Sequence, residues 1–277
     1  MSGFRVERDA VGDVQVPAES YFGAQTQRAV EKFPASGLRF PRSFIRALRI
    51  VKLSAARVNA ALGLLSVDLA RAIEVAAEDV ISGRLDDQFV VDVFQTGSGT
   101  STNMNANEVI AGRANELLGG CRGGRSAVHP NDHVNLGQSS NDVFPSAIHV
   151  AAAEVIEQQT QPELYRLQGV LAAKTIEFDK VLKIGRTHLM DATPVRLGQE
   201  FSGYASQMEH AIRRLQAVRP HISELAIGGT AVGTRINTHP EFSERVVCNI
   251  SEITGLRFTP PADFFEAIGS RDAVVET

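Results

Sequence analysis

Residues 197–225, "LGQEFSGYASQMEHAIRRLQAVRPHISEL", decide the fold class. Leu197, Phe201, Tyr204, Met208, Ala211, Leu215, Val218, Ile222 and Leu225 alternate steps of four and three without a miss. That spacing lines one face of an α-helix. At 1.5 Å per residue the stripe runs ~43 Å, longer than a small domain is wide. A rod of this length needs partners of similar length, so the pattern predicts a helical bundle of a kind that is often oligomeric. Pro220 falls inside the stripe and predicts a bend or helix end near Arg219.

The same periodicity extends outward. Phe44, Leu48, Val51, Ala55, Val58 and Leu62 form a second stripe that stops at Gly63. Leu69, Ile73, Ala76 and Val80 form a third, stopped by Gly83, and residues 103–120 predict another helix ending at Gly119 and Gly120. Residues 121–145 are rich in Gly, Asn, Ser and Asp and read as a long loop. Pro145 suits the first turn of a helix carrying Phe144, Ile148, Ala151 and Val155. Pro162 predicts a kink or break before Leu164, Leu167 and Leu171 resume the stripe. The long helix is expected to start near Pro194, and extended pieces are expected only near "VLKIG" and "GLRFTP". The fold class is mainly α.

A chain of 277 residues with 43% hydrophobic and 22% charged side chains can bury a sizeable core. A net charge of −4 without a basic stripe argues against a nucleic-acid partner. Cys121 and Cys248 stand alone, which suits a reducing compartment and disfavours a thiolate metal site. No apolar run approaches the ~18 residues of a membrane span. The opening "MSGFRVERDAVGD" carries charges where a signal peptide needs an apolar run, so a cytoplasmic location without a membrane partner is expected.

Three polar segments interrupt the helices. In "TGSGTSTNMNANE", residues 96–108, no Lys-Ser/Thr completes a phosphate loop, and Thr102 stands where a dinucleotide fingerprint needs glycine. What remains is Ser98, Gly99, Thr100, Ser101 and Thr102 running into a helix start with Asn103, Asn105 and Asn107. Free N–H groups and hydroxyls there suit a small anion, or else simply cap the helix. In residues 128–145, His129 and His133 could pair on a metal if helical, but Pro130, Asn131 and Asp132 favour a turn. Ser139, Ser140 and Asn141 again precede a helix. In the third segment Thr187 and His188 precede the long helix, and histidine is the side chain best placed to exchange a proton near neutral pH. His210 and His221 lie on the long helix and read as packing or surface residues.

These segments resemble the fumarase/aspartase superfamily, and class II fumarases most closely. The likeness is carried by "VPAESYFGAQTQRAV", "DDQFVVDVFQTGSGTSTNMNANEVIA", "VHPNDHVNLGQSSNDVFP", "KIGRTHLMDATPVRLGQEFSGYA" and "ELAIGGTAVGT", in that order. Aspartases typically carry Gln where His188 stands, Ser-Thr-Asn at positions 139–141 and Gly-Ala-Gly at 97–99; this chain differs at each.

The resemblance implies reversible addition of water to fumarate, giving L-malate, with no metal or cofactor. It implies that Ser98, Gly99, Thr100, Ser139, Ser140, Asn141 and Thr187 hold the substrate carboxylates. His188 would handle a proton at the hydroxyl that leaves as water. His129, Pro130, Asn131 and Asp132 match a secondary dicarboxylate site. The implied organisation is an N-terminal lyase domain over residues 1–137 and the first part of a central helical bundle over 138–277, in a homotetramer whose sites draw on three subunits. A serine loop that supplies the carbon-proton base in the family has no match in residues 1–277, so an N-terminal portion of a longer protein is expected, inactive alone and exposing its apolar stripes. Arg235 stands where the family usually has glycine, predicting strain if that turn needs positive φ. Ser126 and Ala127 replace a more basic stretch.

Overall fold

A computed structural model describes residues 3–9, 11–123 and 127–277. The N-terminus forms an antiparallel hairpin, β1 (Phe4–Asp9) with β2 (Gly12–Pro17). Helices α1 (Ala24–Lys32), α2 (Arg42–Ala61), α3 (Val67–Ile81), α4 (Thr100–Leu117) and α5 (Ser140–Val155) follow. The chain continues through α6 (Gln161–Glu177), a second hairpin of β3 (Leu182–Thr187) and β4 (Met190–Arg196), and α7 (Leu197–Ile222). It closes with α8 (Phe242–Thr254), α9 (Phe264–Gly269) and α10 (Asp272–Glu276).

Helix α2 is the axle. Its stripe packs against α3, α5 and α8, and Leu48, Ile50, Val51 and Ala55 are wholly buried. Gly63 takes φ +72 just past its end and Gly83 takes φ +92 past α3, the left-handed geometry that only glycine adopts cheaply. The burial of α2 extends beyond its stripe: Arg49, Lys52 and Asn59 are also inside. A helix covered on every side buries polar residues as well as apolar ones, and Ser54 Oγ and Asn59 Oδ1 lie inside without a hydrogen-bond partner among the described residues.

Several expectations are revised. Helix α5 starts at Ser140, not at Pro145, which lies inside it. The break foreseen at Pro162 is a π-helical turn over Ile156–Thr160, with Pro162 in the first turn of α6. Pro194 lies in β4, and the long helix begins at Leu197. That helix passes Pro220 and ends at Ile222; Leu225 lies beyond it, bonded to Thr259 across an isolated bridge in "GLRFTP". The β1–β2 pair and β4 are strands the periodicity does not announce.

Helices α6 and α7 form an antiparallel pair. The early α7 residue Gly198 lies against Thr175 and Asp179 at the end of α6, while Gln216 reaches Tyr165 near its start. This pair is only half covered. Helix α6 has no buried residue, and α7 buries Gly198, Ala205, Ile212, Val218 and Ile222. Phe201 packs edge-on against Phe178, and Tyr165, Val170, Ile176 and Tyr204 stay exposed, whereas Val218, Ile222 and Leu225 at the far end of the long stripe are buried. Among the described residues no helix is long and apolar enough to cross a membrane.

Candidate functional site

The start of α4 is built by Gly99. It caps the helix with φ +71 and lies flat against Phe144, whose ring a Cβ at position 99 would meet at 2.2 Å. With no side chain at the cap, Gln95 substitutes: its Oε1 accepts the Thr102 N–H at 2.8 Å and its Nε2 donates to Thr102 Oγ1. The N–H groups of Thr100 and Ser101 find no partner among the described residues. Ser98 Oγ and Thr100 Oγ1 lie 2.9 Å apart at the same edge.

The start of α5 is fixed by a capping box. Ser139 Oγ accepts the Asn141 N–H at 3.2 Å, and Asp142 Oδ1 accepts the Ser139 N–H at 2.9 Å. The other carboxylate oxygen, Oδ2, accepts the N–H groups of Gly228 and Thr230 at 3.0 and 2.9 Å. Asn141 Nδ2 donates to the Ala231 carbonyl at 2.7 Å. The loop after α7 is thereby strapped to the start of α5. Burial pushes the Asp142 carboxyl up to about 6, against these N–H donors and the nearby Lys52.

The two helix starts meet. Asn103 Nδ2 donates to Ser140 Oγ at 3.0 Å and to Asn135 Oδ1 at 3.3 Å. Ser98, Gly99 and Thr100 are thus brought to one edge with Ser139, Ser140 and Asn141. Beneath them lies Lys52, whose Nζ donates to Asn135 Oδ1 at 2.8 Å and to Gln138 Oε1 at 2.9 Å. Burial lowers its ammonium to about 7, with Asp142 pulling the other way. Sequence reasoning misses Lys52, Asn135, Gln138 and Asp142. The signal for Lys52 is a cation set in the apolar run "IVKLSAA".

Thr187 and His188 are not part of this cluster. His188 and Leu189 are the two-residue turn between β3 and β4, with φ +50 and +63 and Thr187 paired to Met190 across it. Positive φ at both central positions is the type I′ pattern that matches the strand twist. His188 is exposed, without a hydrogen bond among the described residues, and Leu189 beside it is 97% exposed. The hairpin packs on itself and on α7. Within one chain the histidine and the serine-rich helix starts stay apart.

The segment from His129 is a π-helical turn, Pro130–Val134. His129 Nδ1 accepts the Asp132 N–H at 3.1 Å and His133 Nδ1 accepts the His129 N–H at 2.9 Å, so both rings are engaged with the turn's own backbone. Asn131 and Ser101 line a cavity of about 450 Å³ with Arg28 and Lys32, while the buried Pro130 faces a different one beside Glu108. Ser126 lies outside the described residues, and Ala127 is exposed. Arg235 has φ +61, the strained geometry expected of it, and its guanidinium bonds the Pro240 carbonyl and lies 5.2 Å from the Phe264 ring. His210 and His221 are surface residues.

Residues 12–277 match the protein family described as Lyase. The class II fumarate hydratase of Halobacterium salinarum is 58% identical over 271 residues, covering 98% of this chain and 57% of its own length. The mitochondrial fumarate hydratase of Saccharomyces cerevisiae is 51% identical over 277 residues, covering 99% of this chain and 57% of its own. Among solved structures, the class II fumarase of Schistosoma mansoni superimposes with a TM-score of 0.95 at 41% identity, covering 99% of this chain and 61% of that one. The chain therefore spans about three fifths of the length of the relatives it matches, 57% and 61% in these cases.

Proposed function

The chain belongs to the lyase family, and on that premise we propose that it supplies the carboxylate-binding wall of a fumarate hydratase, which adds water reversibly to fumarate to give L-malate. The observation that carries this reading is the meeting of the two hydroxyl-bearing helix starts at the Asn103–Ser140 bond. Because Ser140 Oγ accepts from Asn103, its own hydrogen is free to donate outward. Thr100 and Ser101 add free N–H groups, and Ser98 and Thr100 add hydroxyls.

The chemistry asks for such donors. Removing the proton beside a malate carboxylate puts extra negative charge on that carboxylate, and donors already aimed there stabilise it without reorganising. Ser98, Gly99, Thr100, Ser139, Ser140 and Asn141 hold the carboxylates in this reading. Thr187 and His188, at an exposed hairpin tip, serve the site of another copy in a homotetramer, where His188 handles the proton at the departing hydroxyl. The half-covered α6–α7 pair supports such an assembly. His129, Pro130, Asn131 and Asp132 form a secondary dicarboxylate site. The division between residues 1–137 and 138–277 belongs to the same reading and falls at Gly137, φ +70, just before α5.

The test is loss of fumarate ultraviolet absorbance by the native-length protein, with and without ammonia. Loss independent of ammonia and reduced by His188→Ala supports hydration. Turnover of aspartate without turnover of malate overturns it.

A further inference from the structure

Lys52 is wholly buried in the middle of α2, flanked by Val51 and Leu53 in the apolar core. Its two hydrogen-bond partners are neutral amide oxygens, and no carboxylate lies within ion-pair distance among the described residues. Asp142 acts on it through the field alone, and the Asp142 oxygens are occupied by three backbone N–H groups. Taking a cation out of water costs several kcal/mol when no partner repays it. The chain alone leaves that cost standing. Two helix starts add positive potential on the same side.

The arrangement is also directional. An ammonium accepts nothing, so Lys52 forces the Oδ1 of Asn135 towards itself. The same oxygen accepts from Asn103 Nδ2, which turns that amide's N–H groups towards Asn135 and Ser140. Asn135 Nδ2 is tied back to the Gln138 carbonyl at 3.3 Å.

We propose that Lys52 is a positioning residue whose buried charge balances a dianionic dicarboxylate at the two helix starts, acting through Asn135, Asn103 and Ser140 without touching the ligand. This rests on the dicarboxylate reading above and names the charge that selects for it. A buried cation poised behind the site favours a ligand with two negative charges over one with a single charge.

The experiment uses Lys52→Met and Lys52→Gln in the native-length protein, with succinate, its monomethyl ester and malate as probes. Calorimetry at pH 6, below the folded-state value of about 7 so that Lys52 is charged, gives Kd, and thermal unfolding at the same pH gives Tm without ligand. Both variants should weaken succinate by about tenfold or more, the scale of one partly screened charge interaction in a protein interior. The monoester should weaken much less. Tm without ligand should stay level or rise, because an unpaired buried charge has been removed. A Gln variant with wild-type affinity for succinate overturns the proposal, since Gln keeps a donor near Asn135 and lacks the charge. Equal losses for succinate and the monoester overturn it too. If the wild-type protein binds neither succinate nor malate, the dicarboxylate reading itself fails. If wild type binds and the variants match it, only the assignment of Lys52 fails.

Discussion

Asn103 and Ser140, 37 positions apart in sequence, are joined by a 3.0 Å hydrogen bond from Nδ2 to Oγ that locks the first turn of α4 to the first turn of α5. The bond decides which atoms of Ser140 face outward. It also couples a residue that the sequence marks only as a helix-start asparagine to one marked as a carboxylate holder.

Asn103→Leu removes this bond at nearly constant volume. A neutral hydrogen bond is worth about 1 kcal/mol, so succinate binding should weaken roughly fivefold as Ser140 loses its orientation. Stability should fall little, because the Oδ1 of Asn103 is buried without a partner and disappears with the substitution. A titration of the variant with unchanged Kd would disconnect Asn103 from the site.

Gly99→Ala tests the other half of the junction. The new methyl would sit 2.2 Å from the Phe144 ring at φ +71, so clash and backbone strain act together. The strain alone costs about 1–2 kcal/mol, and displacing Phe144 disturbs its packing on Phe40 and Phe44. The expected result is a lower Tm with weaker ligand binding. Adding Phe144→Leu should recover part of the Tm loss; if it recovers none, the clash is not the cause.

Much of this was legible from the residues alone, and the gaps have physical reasons. The stripe of α3 follows from period-3.6 burial, since Ile73, Ala76 and Val80 all lie on its buried face and one-sided packing writes that spacing directly into sequence. The start of α5 escapes because Pro145 imitates a first-turn proline while sitting inside the helix, five residues beyond Ser140. The β3–β4 turn escapes because His188 and Leu189 take positive φ without the Asn or Gly that normally signals it. Charges dominate β1, and Phe4 and Val6 are 65% and 67% exposed, so no buried face marks that strand. Lys52 escapes because a helix buried all round has no polar face on which a lysine would be expected.

The pH dependence of stability separates Lys52 from Asp142. Its folded-state value of about 7 lies below the ordinary 10.5, so between those pH values the unfolded chain holds a proton that the folded chain has released. Stability contributed at this residue therefore rises with pH through that window and is lowest below it. Asp142 behaves in a separate window. Raised from 3.8 to about 6, it favours the folded state at low pH and loses that contribution as pH climbs from 3.8 to 6. Urea unfolding of wild type and Lys52→Met at pH 7, 8 and 9 should show wild type gaining on the variant as pH rises. Parallel curves would mean that Lys52 stays charged when folded.

Arg235 offers a measure of stored strain. Arg235→Gly relieves the left-handed backbone, whereas Arg235→Ala removes the same side-chain contacts and keeps the strain. The glycine variant should exceed the alanine variant by about 1 kcal/mol. In a chain of this size that is roughly 2–4 °C in Tm. Equal Tm values would show that the turn relaxes out of positive φ when the guanidinium is gone.

His188 carries the last test, and the hairpin makes it a clean one. Asn is the residue best suited to positive φ in a type I′ turn, so His188→Asn should keep or slightly raise hairpin stability while removing the proton-exchanging ring. Loss of a general acid–base group costs about 10²–10⁴-fold in rate. The native-length protein with Asn at position 188 should therefore retain its Tm and its affinity for succinate while losing at least about a hundredfold in fumarate hydration. Retained rate would remove His188 from the chemistry and leave it a turn residue. Lost affinity at retained Tm would instead place it among the groups that hold the carboxylates.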